Sequence, residues 1–599
     1  MEKSKITKSL AVFASVLLII IIGVASFAYF GTFNVNLNSN VAVNINAVSP
    51  GDATFISSAT QLNLQVPAAN MSYTAANNDI AAKEDTAFLD VALTGSQNLL
   101  TTCTYDIVYE YDAGSNVYGQ GTTTKTSGAT KEITIEVNGM NGNNHFATET
   151  NFDHANIQSY YDSTNKYYKL VEGATIKSLG TEQSVRWKIT GRYYNLTASQ
   201  AQLGGKAFTG KIYAISKGCS SEDGTSVKKG YETILANNGG VASMTTLTST
   251  DFATGTTASD KGMYKAQDDL GTSYYLRGAV DNNWVKYGKY TKDAYITADS
   301  NGNYSLVDSC NGLNLCVKLA SKGDDMYWRI IRINGDNSIR MIYTGTSAPD
   351  NNTKVVMTES TNSSGYIRAT SAGMSKFNQN YDNAEYVGYM YTIGEQHGTS
   401  KSSDIKTYLE DWYANYTDLN KAGTKIIDQI YCNDRTASTS ESGTAGEISS
   451  WASTGTQYAY GAGLRLYGDS SKPSPSLKCT NANDKFTTTI AKGNGKLSYS
   501  VGLITADEVN MAGADNQFNS NASYYLYIGS DYWTGSPIAY SRKQFGGGES
   551  REFGVYDDGR LGAYDVSNDD GSMVRGVVSL SSESKLLGSG TYNDVYVVS

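Results

Sequence analysis

An apolar N-terminal stretch constrains this chain more than any other feature. Residues 9–51 carry no Asp, Glu, Lys or Arg, and residues 10–30 form an almost unbroken apolar run behind a basic start. A run of about 20 apolar residues can span a bilayer, whereas the core of a cleaved signal peptide is usually about 7–15 residues. The pattern predicts a signal peptide or membrane anchor over residues 1–30, either cleaved after Ala28 or retained, and an extracellular chain after it.

The cysteines fit an oxidising environment. Six are present and no two form a Cys-x-x-Cys pair, so the spacing of a zinc site is missing. We expect disulfides between cysteines that are neighbours in the chain, the alternative being free thiols buried as small apolar groups. The predicted pairs are Cys103 with Cys219, Cys310 with Cys316, and Cys432 with Cys479.

Length and charge narrow the function. A chain of 599 residues is too long for one ordinary core, which indicates two domains and linkers. The net charge of −10 comes with no basic cluster, and this argues against nucleic acid as a partner. The expected partners are an extracellular protein or glycan, the membrane through the N-terminal segment, and further copies of the chain.

The first domain is predicted to be a β-sandwich over residues 31–222. Between residues 33 and 45, apolar side chains occupy every odd position except 39, and asparagines occupy most of the even ones. This period of two is typical of a half-buried strand. Short strands with polar turns follow. They are predicted at residues 61–66, 87–93, 105–111, 133–137, 185–192 and 208–215. Residues 223–261 are interpreted as a linker with a short helix at 227–236.

The second domain, residues 262–599, mixes α and β structure. Two β-rich arms at 327–333 and 338–343 flank Asn334-Gly335, which predicts a hairpin. A helix is predicted from 404 to about 415, capped by Ser402 or Ser403, and Thr505 with Glu508 forms a capping box for another. The chain ends in strands predicted at 553–556, 561–564, 573–580 and 595–598.

Two resemblances follow from the residues. The string Ala-Ser-Phe-Ala-Tyr-Phe at 25–30, followed by the Asn-rich strand, resembles the start of SipW-dependent surface and biofilm-fibre proteins of the TasA and camelysin group. Residues 231–599 resemble a family of bacterial exported proteins with a C-type-lectin-like domain, in the variant shared with formylglycine-generating enzymes. The motifs are Gly-Met-Tyr at 262–264, Tyr-Tyr-Leu-Arg-Gly-Ala-Val at 274–280, Asn-Trp-Val-Lys-Tyr at 283–287, the Trp328 hairpin, Cys-Asn-Asp-Arg at 432–435, Val-Gly-Leu-Ile-Thr-Ala-Asp-Glu-Val at 501–509, Tyr-Trp-Thr-Gly-Ser-Pro at 532–537 and Val-Arg-Gly-Val-Val-Ser-Leu at 574–580.

The second resemblance implies a ligand-facing surface on the late loops, between Trp533 and Val574. Rigid aromatic rings and an exposed loop on a strand frame favour recognition there. The alternative for the aromatic residues is a place in the core, above all for Trp533. The candidate ligand-binding residues are Tyr540, Arg542, Lys543, Phe545, Glu549, Tyr556 and Tyr564.

Catalytic and metal signals are sparse. His145, His154 and His397 lack a metal-ligand spacing, and the chain contains no Gly-x-Ser-x-Gly or Walker A motif, so we expect no enzyme. Cys432 and Cys479 flank a loop and are interpreted as structural rather than as the catalytic pair of a formylglycine-generating enzyme. No cofactor is expected. Calcium is the one candidate ion, in a loop rich in oxygen ligands whose alternative is a solvated acidic turn. Its residues are Asp565, Asn568, Asp569 and Asp570.

Two functions are compatible with these features. The first is a secreted or cell-surface binding or adhesion protein, with a lectin-like domain on a β-sandwich stalk. The second is a structural surface or biofilm-matrix protein that assembles when the Asn-rich strand, residues 33–48, adds to the sheet edge of a neighbour.

Overall fold

The computed structural model describes most of the chain after the predicted leader. The described residues are 46–47, 54–65, 83–95, 99–111, 126, 129, 131–139, 142–196, 198–224, 227–299, 303–310, 316–347, 359–362, 365–368, 371–515, 519–542, 548–567 and 572–599. The predicted leader and most of the Asn-rich strand lie outside these residues. Within them, no helix combines the length and apolar character that a bilayer crossing needs.

Residues 46–224 form a sandwich of two antiparallel sheets, here called the sandwich module. The sheet orders are β1-β2-β4-β11-β6-β8 and β3-β12-β5-β10-β7, with β9 paired to β10. A short helix, α1, covers His154–Ile157. The strands are β1 Asn46–Ala47, β2 Thr54–Ser57, β3 Ala59–Gln65, β4 Lys83–Thr94, β5 Leu99–Tyr111, β6 Ile133–Asn138, β7 Asn143–Asn144, β8 Thr150–Asn151, β9 Tyr161–Asp162, β10 Tyr167–Ser178, β11 Gln183–Tyr193 and β12 Ala207–Asp223.

Side-chain alternation explains this architecture. In β3, Leu62 and Leu64 are buried while Gln61, Asn63 and Gln65 are exposed, so one face of the strand closes on the core. Inside the core, the indole N–H of Trp187 on β11 donates to the hydroxyl of Tyr105 on β5 (3.0 Å), across the two sheets. The β-rich, sandwich-like fold predicted for this part of the chain is confirmed, and each of the six strands predicted between residues 61 and 215 overlaps an observed one.

Residues 227–599 form a second unit of mixed structure, here called the second module. Its largest sheet has the order β13-β14-β19-β15-β36-β35, with β20 joining β19 to β34. The helices are α2 Gly230–Asn237, α3 Asp404–Asp411, α4 Gly461–Tyr467 and α5 Ala506–Ala512. The strands are β13 Lys261–Asp268, β14 Gly271–Gly278, β15 Trp284–Lys289, β16 Ala294–Ala298, β17 Tyr304–Val307, β18 Cys316–Ala320, β19 Asp325–Ile333, β20 Ile339–Tyr343, β21 Glu359–Asn362, β22 Gly365–Arg368, β23 Met374–Ser375, β24 Met390–Tyr391, β25 Lys401–Ser402, β26 Tyr431–Cys432, β27 Ala437–Ser438, β28 Tyr458–Tyr460, β29 Lys485–Phe486, β30 Tyr532–Arg542, β31 Gly548–Val555, β32 Leu561–Asp565, β33 Ser572–Met573, β34 Val577–Leu580, β35 Leu586–Leu587 and β36 Tyr596–Val598.

The predicted hairpin is the centre of that sheet. Every residue of β19 and of β20 is buried, which explains why both arms are apolar on two faces. A long insert, residues 344–576, leaves the sheet after β20 and returns at β34. The insert carries its own sheet, β23-β33-β30-β28-β27, in which β31 and β32 extend from β30.

The segment interpreted as a linker packs on the second module. The predicted helix at 227–236 is observed as α2, and its Ile234 and Leu235 join the core together with Met244. The backbone N–H of Gly230 donates to the carbonyl of Ser584 (2.7 Å). This bond joins the start of the helix to the segment between β34 and β35. Structurally, these residues belong with the second module.

Polar contacts join the two modules directly. The ammonium of Lys286 on β15 donates to the carbonyl of Ser184 on β11 (2.7 Å), and Asp325 on β19 accepts from Lys289 (2.6 Å) and from the backbone N–H of Arg186 (3.4 Å). Burial lowers the pKa of Lys286 to about 8, although Asp325 opposes the shift. The modules therefore meet through the buried charged groups of Lys286 and Asp325.

All three predicted disulfides are confirmed. Cys103–Cys219 joins β5 to β12, and Cys432–Cys479 joins β26 to the segment before β29. The third, Cys310–Cys316, closes the connection between β17 and β18.

An ion cluster fastens the insert to the central sheet. Glu508 of α5 contacts the Nε atoms of Arg332 and of Arg340 (both 2.8 Å), and Arg332 also binds Asp268 (2.8 Å). Glu508 completes the predicted capping box with Thr505 as well. Burial alone raises the pKa of Glu508, but the two arginines outweigh it and hold this pKa at about 2.

Glu508→Gln should destabilise the second module by about 3–5 kcal/mol, because the change leaves Arg340 buried without a carboxylate partner. Urea unfolding followed by tryptophan fluorescence measures the loss. Glu583→Gln is the control, since this glutamate pairs with Lys229 at the surface (2.7 Å), and its midpoint should hardly move. Equal shifts in the two variants would contradict the anchoring role of Glu508.

Candidate functional site

The loop predicted to bind a ligand lies at the turn between β30 and β31. Tyr540 is only 1% exposed, and its hydroxyl donates to the carbonyl of Asp382 (2.7 Å), so its ring belongs to the core and supports the loop from beneath. Glu549 is also buried and contacts Arg551 (3.0 Å). The side chains of Arg542, Lys543 and Phe545 lie outside the described residues.

The other two predicted ligand residues lie elsewhere, Tyr556 just after β31 and Tyr564 on β32. Tyr556 and Tyr564 stack on each other with ring centroids 4.5 Å apart, and Tyr564 meets Trp533 edge-on. Trp533 is fully buried and donates its indole N–H to the carbonyl of Ser375 (2.7 Å), as expected of a core anchor. The structure does not bring Tyr556 and the β30–β31 turn together, because they lie at opposite ends of β31.

Of the four residues predicted to bind calcium, the structure describes only Asp565. One carboxylate oxygen of Asp565 accepts from the backbone N–H and the hydroxyl of Ser567 (both 3.0 Å), as in an ordinary Asx turn. Asn568, Asp569 and Asp570 lie outside the described residues. Among the residues that are described, no group of three or more His, Cys, Asp or Glu side chains could hold a metal. Calcium binding stays a prediction.

The three histidines lie apart. His145 stacks on Tyr160 in the sandwich module, and His154 contacts the hydroxyl of Tyr168 there. His397, in the second module, places Nδ1 2.9 Å from Asp484 and Nε2 3.3 Å from Glu447.

A partly exposed aromatic surface lies beside the predicted loop, and the sequence did not indicate it. Tyr381 is 43% exposed and Ile393 is 48% exposed. The rings of Tyr386 and Trp451 are half-buried. These four residues are called the Tyr381 face.

Buried Glu385 holds this face in place. One of its carboxylate oxygens accepts from the indole N–H of Trp451 (2.8 Å), the hydroxyl of Ser453 (2.6 Å) and the backbone N–H of Gly394 (2.9 Å). The segment that precedes Tyr386, the turn that follows Ile393 and the loop of Trp451 therefore converge on a single acid. Three donors on one carboxylate oxygen join these segments of the face to one another.

The predicted loop and the Tyr381 face are parts of one surface. The backbone N–H of Ser550 on β31 donates to the carbonyl of Tyr381 (2.8 Å), and its hydroxyl donates to the carbonyl of Asn383 (2.5 Å). Together with the hydrogen bond from Tyr540 to Asp382, these contacts join the strands on both sides of the β30–β31 turn to three consecutive residues, 381–383. The sequence indicated this hairpin but not the segment that lies against it, and ligand binding by the hairpin stays a prediction.

Glu552 is a buried acid further along β31. Neither of its carboxylate oxygens has a hydrogen-bond partner among the described residues, and its side chain is fully buried. Burial raises the pKa of Glu552 well above its usual 4.5, and the attraction of Arg435 lowers it only in part. The carboxyl is therefore neutral where exposed glutamates are charged.

Glu552→Gln should gain stability relative to the unchanged protein as pH rises. The folded protein keeps the Glu552 proton where the unfolded chain has lost it, so stability is present below pH 4.5 and falls as pH rises toward the folded pKa. Glutamine stays neutral and avoids this loss, which is about 1.4 kcal/mol per pH unit inside the window. Urea midpoints from about pH 5 to pH 8 measure it. The exposed Glu395→Gln is the control, and parallel pH profiles for all three proteins would contradict the neutral acid.

Comparison with known proteins finds no similar family, curated protein or solved structure. The function of this chain therefore rests on the chemistry of its own residues.

Proposed function

We propose that this protein is an extracellular binding or adhesion protein, secreted or held at a bacterial cell surface by its N-terminal segment. Three disulfides and no free cysteine among the described residues support an oxidising compartment. The apolar leader supports export. In this proposal the sandwich module is the stalk and the second module presents the ligand-binding surface.

The proposal includes a C-type-lectin-like fold for the second module. Its support is the path of the chain: β15 near the start of the module pairs in parallel with β36 near its end, and the long insert leaves and returns between neighbouring strands β20 and β34. A sheet that holds both ends of a long insert is a rigid frame for recognition loops.

The Tyr381 face is the observation that carries the binding function. It presents Tyr381 and Ile393 to solvent. Ser550 holds the backbone of Tyr381, and Glu385 accepts from the backbone N–H of Gly394, the residue after Ile393. Exposed apolar and aromatic groups on a preorganised surface give binding energy with little loss of conformational entropy. The face adjoins the β30–β31 turn, so the two together form the proposed ligand surface.

Replacing Tyr381 and Ile393 together by serine should abolish ligand binding. Both side chains are exposed, so the variant should unfold at the temperature of the unchanged protein while its affinity falls at least about tenfold. Glycan and extracellular-protein arrays with the full chain, with and without calcium, identify the ligand and measure the loss. Ile490→Ser is the matched control, because Ile490 is 86% exposed at another site. Unchanged binding by the double variant, or arrays without any ligand, would contradict the proposal.

A structural role is the second candidate, and the position of β1 favours it. Asn46 and Ala47, at the end of the predicted Asn-rich strand, pair with β2 at the outer edge of their sheet. At the edge of the other sheet, the backbone N–H of Asn63 donates to the carboxylate of Asp85 (2.5 Å), which occupies a group that strand addition would need. Assembly by strand exchange would therefore use the β1 edge.

Filaments should form only when residues 29–48 are present. Electron microscopy and sedimentation velocity of chains that begin at Tyr29 or at Ser49 test this, because the shorter chain lacks the strand that would pair with a neighbour. Monomers from both chains would remove the structural candidate, and filaments from both would place the assembly contact elsewhere.

A further inference from the structure

A large open cleft lies in the insert, apart from the Tyr381 face. Its volume is about 510 Å³, within the range of about 300–1,000 Å³ that is typical of ligand clefts. Twelve residues drawn from the stretches 436–447 and 461–481 line it, and none of these twelve is aromatic. Exposed hydroxyls of Thr444, Ser474 and Thr480 contribute to the lining. The cleft therefore offers polar groups beside the apolar side chains of Ala445 and Leu464.

The one cation of the cleft is already neutralised. The guanidinium of Arg465 donates from Nη1 to Asp434 (2.6 Å) and from Nε and Nη2 to both oxygens of Asp507 (2.9 Å each). Burial alone lowers the pKa of Arg465, but Asp507 and Asp434 raise it above its usual value. Two carboxylates on one arginine leave no positive charge for an anionic ligand.

The exposed acid of the cleft is held in position from the core. The side chain of Glu447 is 67% exposed, and its Oε1 accepts from the amide of Asn481 (2.5 Å) and lies 3.3 Å from Nε2 of His397. His397 in turn contacts Asp484, which the buried Arg435 binds (2.8 Å). The Cys432–Cys479 disulfide anchors the residues just before Asn481. A carboxylate fixed in this way is a preorganised acceptor for hydroxyl groups.

One wall of the cleft leaves unused space. A Cβ atom added to Gly446 would meet no atom within 4 Å, and its backbone lies outside the left-handed region that favours glycine. Both backbone polar groups of Gly446 pair with Ala437 (3.0 and 2.9 Å), so the backbone is fixed while the position above it is open.

We propose that this cleft binds a neutral saccharide of one or two sugar units, without a metal ion. The volume sets the size, and the hydroxyls and the Glu447 carboxylate supply the hydrogen-bonding groups. The same carboxylate disfavours acidic sugars, because Arg465 is already paired and cannot attract them. The proposal goes beyond the proposed function, because it concerns a different surface from the Tyr381 face. A polar site for a single sugar unit gives a Kd on the order of 1 mM.

Gly446→Leu fills the cleft and tests the proposal. The probes are glucose, galactose, mannose, N-acetylglucosamine and their β-1,4-linked dimers, measured on the full chain by saturation-transfer NMR with chelator present. At least one neutral sugar should bind, and Gly446→Leu should weaken that binding about tenfold or more. Ala422→Leu is the control, since Ala422 is exposed and does not line the cleft. Melting temperatures of both variants equal to that of the unchanged protein show that the fold is intact.

Three results would overturn the proposal. The absence of binding by every neutral sugar removes the saccharide, and binding that survives Gly446→Leu removes the cleft as its site. Binding only of uronic acids or of a lysine-rich peptide, added as charged probes, shows a different ligand class. Loss of array binding in the Tyr381 and Ile393 double variant with sugar binding retained separates this cleft from the proposed main surface.

Discussion

Glu508 and the two arginines beside it hold the second module together. Arg332 and Arg340 lie on the fully buried hairpin, and Glu508 lies at the start of a helix more than 160 residues later in the chain. Because all three side chains are removed from water, each depends on the others for its partner. The same acid also caps its helix. One carboxylate therefore links the central sheet, the first turn of α5 and, through Arg332, the Asp268 turn.

A second buried arginine also joins the insert to the central sheet. Arg575, just before β34, donates to the carbonyl of Tyr343 on β20 (3.1 Å) and to the carbonyl of Leu526 in the insert (3.1 Å), and its guanidinium lies over the ring of Tyr532 (4.8 Å). Burial lowers its pKa. Backbone carbonyls and an aromatic face thus replace a carboxylate where the insert rejoins the sheet. With both ends fixed, the loops of the insert can expose Tyr381 and Ile393 without losing their shape.

The sequence predicted the strands and helix caps that depend on residues close together in the chain. Alternation located β4, β5 and β11, and Ser403 caps α3 as expected, although its last predicted turn, Trp412–Tyr416, is a π-helix. Strand β10 escaped because two bulges, one of them at Gly173, break its period of two. The burial of Tyr540 was equally hidden, since its partner Asp382 is 158 residues away. The Tyr381 face depends on Glu385 meeting Trp451 across 66 residues, and no spacing rule reads such a meeting from one sequence.

The contact between the modules fixes how any ligand surface is presented. A flexible linker alone would let the second module turn freely on the sandwich. Here Lys286 is buried against the carbonyl of Ser184, and the depressed pKa of Lys286 measures the electrostatic cost of its position. Asp325, shared between Lys289 and the Arg186 amide, offsets that cost in only one arrangement. A displacement of one module against the other would leave a buried charge without its partner. The contact therefore selects a single arrangement of the two modules, even though it adds little net stability. In the proposed binding protein, the Tyr381 face and the cleft then keep one orientation relative to the stalk.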